Sequence, residues 1–362
     1  MTEAAILQAL SNVQEPDLGK DLVTLNMIKD IVIKGNQVFF TVVLTTPACP
    51  MKDTINQACV NAIQLLVNKE AEVHVNFTAN TTSKRTDAKV LPQVRNIIAV
   101  VSGKGGVGKS TVAANLALAF AKGGAKVGLM DADIYGPSVP IMFGVRGERP
   151  MMKDVNGKGV IIPMEKHGLK LMSIGLLVDE KNAVVWRGPM ASSAIKQFVT
   201  EVDWGELDYL VIDMPPGTGD IHLTLMQTVP VTGVVIVTTP QDVALADAKK
   251  GIAMFGQAQV NVPILGLVEN MSYFTPPELP DNRYYIFGKE GGKRLAEEYE
   301  LPFLGQIPIV ESIREAGDRG VPAMLGNDEI AKKAITAFAS NTVRNIAIRN
   351  AHAPKTQPIS VS

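Results

Sequence analysis

The segment GKGGVGKST holds two lysines, Lys104 and Lys109, at spacings suited to contacts with phosphate groups. Residues Gly103–Ser110 match G-x-x-x-x-G-K-[ST], a loop whose glycines let backbone N–H groups turn towards phosphate oxygens. Lys109 would neutralise the outer phosphates, and the Ser110 hydroxyl is a suitable ligand for Mg²⁺. The pattern predicts a nucleoside triphosphate site; the alternative is a glycine-rich turn without a ligand. The predicted binding residues in this loop are Gly103, Lys104, Gly105, Gly106, Val107, Gly108, Lys109, Ser110 and Thr111.

Aspartates at the ends of two apolar runs could complete such a site. YLVIDMPPGTGD contains Asp213, and VGLMDADIYGPS contains Asp131 and Asp133. Ligands of α/β proteins bind at the carboxyl ends of the strands, where these residues would lie. One carboxylate would hold the metal and another would orient the attacking water, because phosphoryl transfer depends mainly on positioning and charge compensation. The alternative for each aspartate taken singly is a helix N-cap.

Lys104 is needed neither for the turn nor for an ordinary phosphate loop. A cation at this position, near the outer phosphates, would act like an arginine finger on the charge that develops in the transition state. If a facing subunit supplied it, hydrolysis would depend on dimerisation. The alternative is a solvated loop lysine.

The elements around these residues predict an α/β fold. From Asn96 onwards, short apolar runs alternate with helical segments at about 109–122, 190–200, 219–228, 243–257 and 327–349. This alternation predicts a mostly parallel sheet with helices on both faces. Before it, two strand-like runs around KGN, a helix from about Met51 to Asn68 and a third strand predict a small α+β domain.

Length and composition limit the organisation and the partners. The chain has 362 residues, a net charge of -1 and a pI of about 6.5, so no strong field favours nucleic acid or an anionic membrane. The first residues lack the basic-then-apolar order of a signal peptide, so we expect a cytoplasmic protein with neither nucleic-acid nor membrane partners. The predicted parts are an α+β domain (1–79), a linker (80–95), a P-loop domain (96–350) and a disordered tail (351–362).

Several stretches together resemble a known family. GKGGVGKST resembles the deviant Walker A motif of signature-lysine ATPases such as MinD and ParA. DADIYGPSVP, WRGPM, DYLVIDMPPGTGD, VTTPQDVALADAKKGIAMF and VENMSYF are similar to the Mrp/ApbC branch, the iron–sulfur cluster carrier ATPases. The first 80 or so residues, with LTTPACPMKD, resemble a small iron–sulfur assembly domain. The resemblance covers nearly the whole chain.

The resemblance implies roles for individual residues. Lys104 would act in trans across an ATP-sandwich homodimer, Asp133 would lie beside the attacking water, and Asp213 would lie near Mg²⁺. Asn270, in ENM, would hydrogen-bond the adenine edge; its alternative role is a strand-end cap. The segment IPIVESIREAGDRG would line the base pocket.

The cysteines depart from the family pattern. Carriers of this branch follow ENMSYF with x-C-P-x-C, whereas here Pro276 and Leu279 stand at the two cysteine positions. Only Cys49 and Cys59 remain in the chain. We expect Cys49, just before a helix, to have a lowered pKa and to be the candidate iron–sulfur ligand; the alternative is a packed, inert thiol. Cys59 is predicted to lie in the core, and the four histidines, His222 among them, show no metal-ligand spacing.

Three functional hypotheses follow. The leading one is an ATP- and Mg²⁺-dependent homodimer that binds iron–sulfur clusters and transfers them to apoproteins, with assembly factors as further partners. The second is an ATP-dependent scaffold or adaptor that holds no cluster itself, suggested by the missing cysteine pair. The third is a MinD- or ParA-like positioning ATPase, which would need a basic amphipathic segment; the run EIAKKAITAFASNTVRNIAIRN is interpreted instead as a packing helix.

Overall fold

A computed structural model describes residues 1–85, 90–155, 157–178, 188–257, 260–276, 278–279 and 281–354. The chain divides into two compact units. The first consists of Met1–Thr82 together with Ala347–Ala353, and the second mainly of Ser83–Ile346. In the described residues, no helix combines the length and the hydropathy that crossing a membrane requires.

The first unit is a small α+β structure, as predicted. Its elements are α1 (Glu3–Leu10), β1 (Gln14–Glu15), β2 (Lys20–Asp21), β3 (Ile28–Lys34), β4 (Gln37–Leu44), α2 (Lys52–Leu66) and β5 (Glu72–Ala79). Strand β4 lies between β3, to which it is antiparallel, and β5, to which it is parallel. Alternate residues of β4 are buried, and with apolar residues of α1 and α2 they form this unit's core.

The second unit contains the longer alternation of strands and helices. Its strands are β6 (Val94–Val101), β7 (Val127–Asp131), β8 (Met151–Val155), β9 (Lys158–Ile162), β10 (Met164–Lys166), β11 (Leu169–Ser173), β12 (Leu207–Asp213), β13 (Gly233–Thr238), β14 (Ile264–Glu269) and β15 (Phe303–Gln306). Its helices are α3 (Lys109–Lys122), α4 (Val139–Met142), α5 (Gly188–Thr200), α6 (Asp220–Thr228), α7 (Asp242–Gly256), α8 (Gly291–Glu298), α9 (Glu311–Asp318) and α10 (Glu329–His352), which extends into the first unit.

Eight strands form one sheet in the order β10-β11-β7-β12-β6-β13-β14-β15. All neighbours are parallel except β10 and β11, which are antiparallel. Strands β7 and β13 are buried throughout, because helices cover both faces of the sheet. The structure therefore confirms the predicted mostly parallel α/β fold. Strands β8 to β11 and β15 were not predicted: they are short, and polar residues interrupt the apolar runs of several of them.

The sheet register brings the candidate residues to one edge. Asp213, the last residue of β12, pairs with Asp131, the last residue of β7, and with Val100 near the end of β6. The phosphate loop follows β6 directly. Because these strands are parallel neighbours, their carboxyl ends place the loop and the aspartates side by side.

Two predicted boundaries differ from the observed elements. Strand β6 begins at Val94, inside the predicted linker, and α10 continues to His352, inside the predicted tail. The last turns of α10 belong to the first compact unit, in which Asn350 Nδ2 donates to Thr82 O at 3.0 Å. Residues 86–89 of the linker, 355–362 of the tail, and Trp186 and Arg187 of WRGPM lie outside the described residues.

Candidate functional site

The phosphate loop joins β6 to α3 in a conformation that needs glycine. Gly106 and Gly108 have φ values of 84° and 78°, in the left-handed region. Gly108 is also the N-cap of α3, and a Cβ atom there would lie 2.3 Å from Asn270 Nδ2. The loop therefore leads into the N-terminal end of a 14-residue helix, where free N–H groups and the helix dipole favour an anion.

Replacing Gly108 by alanine is expected to destabilise the protein, because the new side chain meets both a strained φ and the Asn270 amide. We expect a cost of about 2 kcal/mol, which lowers the midpoint of thermal unfolding by about 4–8 °C. Gly105→Ala is the matched control, since a Cβ there has no neighbour within 4 Å and no positive φ. Equal midpoints for the two variants, measured by circular dichroism, would contradict this account.

Lys109 is the central charge of the site. Its side chain is buried, and Nζ forms a direct ion pair with Asp213 Oδ1. Nζ also lies 3.7 Å from Asp133 Oδ2 and 3.4 Å from Ser110 Oγ. One ammonium group thus contacts residues from three different segments, and the sequence-predicted Lys109, Ser110, Asp133 and Asp213 are brought together.

Asp131 and Asp213 are both 0% exposed, which makes their charges costly. Burial, together with the nearby Asp213 charge, raises the pKa of Asp131 to about 8, although its carboxylate accepts hydrogen bonds from Ser173 Oγ at 2.9 Å and Asp133 N at 3.1 Å. Burial also raises the pKa of Asp213, and the Lys109 charge opposes this rise. The Lys109 charge therefore favours the ionised form of Asp213, whereas burial and the Asp213 charge favour the protonated form of Asp131.

The donor set fits Mg²⁺ bound together with a nucleotide. Asp213 Oδ2 is buried and has no hydrogen-bond partner in the described part of the chain. Ser110 lies beside it, through the shared contact with Lys109. The described residues contain no group of three or more His, Cys, Asp or Glu that could hold a metal ion alone. This agrees with Mg²⁺, which usually takes one or two protein ligands and completes its shell with phosphate oxygens and water.

A cavity of about 670 Å³ adjoins the phosphate loop. Asn270 lines it and donates a hydrogen bond from Nδ2 to Val107 O at 2.8 Å, which ties the end of β14 to the loop. The segment 307–320, predicted to line a base pocket, does line this cavity. The volume and apolar lining suit a base with its ribose. Lining residues include Gly108, Thr111, Ser138, Asn270, Ile286, Phe287, Pro308, Ile309, Val310 and Ile313.

Lys104 differs from Lys109 in its surroundings. It is half-buried, and its backbone carbonyl accepts a hydrogen bond from Ser102 Oγ at 2.9 Å. Within the described residues its ammonium forms no ion pair, so no carboxylate of the described chain neutralises it. Gly103 before it lies against the main chain of Asp247 in α7. The role of Lys104 towards a second chain stays a prediction.

The prediction of a lowered pKa for Cys49 is wrong. Helix α2 begins only at Lys52, and burial raises the pKa of the Cys49 thiol. The Met51 backbone N–H opposes this rise, whereas the negative charges of Asp17 and Glu15 add to it. Burial likewise raises the pKa of Cys59 to about 12, and its 0% exposure confirms that it is a core residue.

Two polar residues near the site carried no clear sequence signal. Ser138 is the N-cap residue of α4, but its hydroxyl makes no capping hydrogen bond. Its Oγ atom is buried and has no hydrogen-bond partner in the described part of the chain. The residue also lines the cavity. The sequence shows His222 only as an isolated histidine, yet the residue is 1% exposed. Burial, with a smaller contribution from the Lys109 charge, lowers its pKa to about 4.

A phosphate loop between a central parallel strand and a helix, with an aspartate on the adjacent strand, defines a P-loop nucleoside triphosphatase. Residues 93–344 match the family model ParA, described as NUBPL iron-transfer P-loop NTPase, and residues 3–76 match one described as iron-sulfur cluster assembly protein. The chain belongs to this iron-transfer P-loop NTPase family, as the sequence resemblance predicted.

Similar proteins cover most of the chain. One from Synechocystis sp., named iron-sulfur cluster carrier protein, is 50% identical over 96% of this chain and 99% of its own length. A protein of the same name from Escherichia coli K12 is 44% identical over 90% of this chain and 87% of its own. The solved structure of a nucleotide-binding protein from Archaeoglobus fulgidus, in complex with ADP, is 41% identical and covers 66% of this chain and 91% of that one, with a TM-score of 0.57.

Proposed function

We propose that this protein is a homodimeric ATPase that binds iron–sulfur clusters and transfers them to apoproteins in the cytoplasm. The observation that supports the ATPase most is the convergence of Lys109, Ser110, Asp133 and Asp213 beside a cavity sized for a base and ribose. The cargo is supported by the names of relatives that align along nearly the whole chain. Apoprotein clients and assembly factors would be its partners.

ATP would bind with its base in the cavity and its phosphates over the loop. The backbone N–H groups at the start of α3 would contact the phosphates, and Lys109 would neutralise the outer ones. Ser110 and Asp213 would hold Mg²⁺, which supplies positive charge to the phosphate oxygens. Asn270 would fix the base edge with the part of its amide that does not bind Val107 O.

Hydrolysis would begin with a water molecule that Asp133 orients. The Asp133 side chain is only 13% exposed but is not sealed from solvent, unlike that of Asp213 at 0%. The water oxygen forms a bond to the terminal phosphorus while the bond to the ADP oxygen breaks, which yields ADP, phosphate and a proton. Lys104 of the facing chain would compensate the developing charge, so ATP would favour the closed dimer and hydrolysis would release it.

Cys49 is the thiol that we propose for the cargo, since Cys59 is fully buried. A dimer would supply two Cys49 thiolates, whereas a cluster commonly takes four. The remaining ligands would come from the donor or client protein, which suits transfer rather than storage. Because its pKa is raised, the Cys49 thiol must lose a proton when it binds iron.

The adaptor hypothesis is the second candidate, and two observations favour it. The protonated state of Cys49 disfavours metal binding, and Pro276 and Leu279 stand where the family has cysteines. In this case ATP would control docking of assembly partners, and the protein itself would hold no cluster.

The positioning-ATPase alternative has less support. Helix α10 buries residues at helical spacing, among them Ile335, Phe338 and Val343, so this apolar side is not available to insert into a membrane. We therefore expect the protein not to co-sediment with liposomes or DNA in the presence of ATP.

Anaerobic reconstitution with iron and sulfide tests the proposed cargo. We expect the wild type and Cys59→Ala to retain iron and acid-labile sulfide and to pass them to an apo-ferredoxin, because Cys59 packs in the core. Cys49→Ser should lose at least about nine-tenths of the bound iron, since one thiol ligand per chain disappears. A wild-type protein that hydrolyses ATP but retains no iron would refute the carrier and favour the adaptor.

A further inference from the structure

His222 is a buried polar residue that the proposed mechanism does not use. It is the third residue of α6 and is 1% exposed. Its neighbours Ile221, Leu225 and Met226 on the same helix are buried and apolar. A leucine would suit this packing as well, so core packing alone does not explain an imidazole here.

The imidazole lies among groups that belong to the nucleotide site. The backbone carbonyls of Gly219 and Pro215 interact with it, and the Lys109 charge is close enough to affect it. Neither Nδ1 nor Nε2 has a hydrogen-bond partner of acceptable geometry in the described residues. Burial lowers the pKa of His222 to about 4, so the ring is neutral at physiological pH, with one nitrogen a donor and the other an acceptor.

The loop between Asp213 and α6 connects this ring to the phosphate loop. It starts where Met214 N donates to Val100 O at 3.1 Å, and in its middle Gly217 N donates to Ser102 O at 2.9 Å. Both acceptors lie on the segment that leads from β6 into the phosphate loop. Pro215 and Gly219 flank the second of these bonds, and their carbonyls are the ones that interact with His222.

An unpaired buried N–H donor costs free energy, so an arrangement that gives the ring N–H an acceptor is favoured. We propose that His222 is a positioning residue for ATP hydrolysis: when the terminal phosphate binds, a ring nitrogen donates to a carbonyl of Pro215 or Gly219. The bond would hold the loop so that its N–H groups face the terminal phosphate. This inference rests on the proposed ATPase function and assigns no covalent role to the ring.

Two substitutions separate hydrogen bonding from packing. His222→Leu keeps most of the volume without polar atoms, and His222→Gln keeps a donor and an acceptor. We expect the leucine variant to lose about 10- to 100-fold in kcat while its KM for ATP stays within about threefold, because the bond acts after binding. The glutamine variant should keep kcat within about fivefold of the wild type.

Thermal unfolding and a packing control complete the test. Leu225→Met, a volume-conserving change on the same helix, should keep the wild-type kcat. The midpoint of thermal unfolding of His222→Leu should equal or exceed that of the wild type, because the substitution removes unpaired polar atoms. If the leucine variant does not fold, His222→Met is used in its place. Loss of activity in both His222→Leu and His222→Gln, or in neither, would overturn the inference. If the wild type hydrolyses no ATP, the proposed function itself fails, and the inference with it.

Discussion

Lys109→Ala is expected to weaken ATP binding by at least about 100-fold and to abolish measurable hydrolysis. The ammonium is the only cation that the described structure places in direct contact with the buried Asp213, and it also lies 3.7 Å from Asp133. Without it, the phosphates of ATP would meet carboxylates with no intervening positive charge. Isothermal titration with a non-hydrolysable ATP analogue and a phosphate-release assay measure the two effects.

The same substitution should also change the stability in a pH-dependent way. Removing one partner of a buried ion pair lowers the free energy of unfolding by about 3 kcal/mol or more when the remaining carboxylate is ionised. Because the pKa values of Asp131 and Asp213 are raised on folding, the folded state binds more protons than the unfolded state at pH values above the ordinary Asp pKa of 3.8 and below the raised ones, about 8 for Asp131. Stability therefore falls as the pH rises through this range. The midpoint of thermal unfolding of Lys109→Ala should therefore lie further below that of the wild type at pH 8 than at pH 5.5.

Lys126→Ala is the matched control for Lys109→Ala. Lys126 also pairs with a carboxylate, Glu206 at 3.0 Å, but both side chains are mostly exposed. Water screens such a pair, so we expect wild-type ATP binding and an unchanged unfolding midpoint. Wild-type affinity in Lys109→Ala, or an equal effect in both variants, would contradict the role given to the Lys109 ammonium.

Lys104→Ala is expected to lower kcat about 1,000-fold and to leave the affinity for ATP within about threefold of the wild type. The reason is that a cation acting only on transition-state charge contributes little to ground-state binding. In the described residues, the Lys104 ammonium makes no ion pair that its removal would disrupt, so the unfolding midpoint should not change. Lys104→Arg, which keeps the charge, should retain part of the activity.

Mixing two inactive variants tests whether Lys104 acts in trans. In a heterodimer of Lys104→Ala and Asp133→Asn, the site on the first chain keeps its own Asp133 and receives an intact Lys104 from the second. A 1:1 mixture should recover about a quarter of the wild-type rate, since half of the dimers are mixed and each has one complete site. If Lys104 acts within its own chain, the mixture stays inactive, and full activity of Lys104→Ala alone would exclude any catalytic role.

The local sequence predicted much of the fold and the phosphate site. Glycine spacing around Lys109 indicated the loop, and apolar runs that end in aspartate indicated strands whose carboxyl ends meet. These features depend on neighbours a few residues apart. Strands β8 to β11 and β15 were missed because they are short and lack a continuous apolar run. In addition, β11 pairs with β7 and β15 pairs with β14, and these contacts join segments that are far apart in the chain.

Cys49 and His222 show why the site chemistry was harder to predict. A thiol before a helix suggested a lowered pKa, but burial and the charges of Glu15 and Asp17, distant in sequence, raise it. A single histidine without metal-ligand spacing gave no signal, yet folding places His222 beside the loop that follows Asp213. Desolvation and charge interactions depend on all surrounding atoms.

By itself, therefore, the sequence determined the phosphate loop, the alternation of strands and helices and the family, because each depends on local spacing. Only the tertiary structure decided which carboxylates share the Lys109 ammonium, which segments enclose the cavity and which thiol or imidazole is protonated. The physical reason is that burial and pairing arise between segments far apart in the chain, such as Lys109 and Asp213, which are separated by 104 residues. No local pattern in the sequence contains this information.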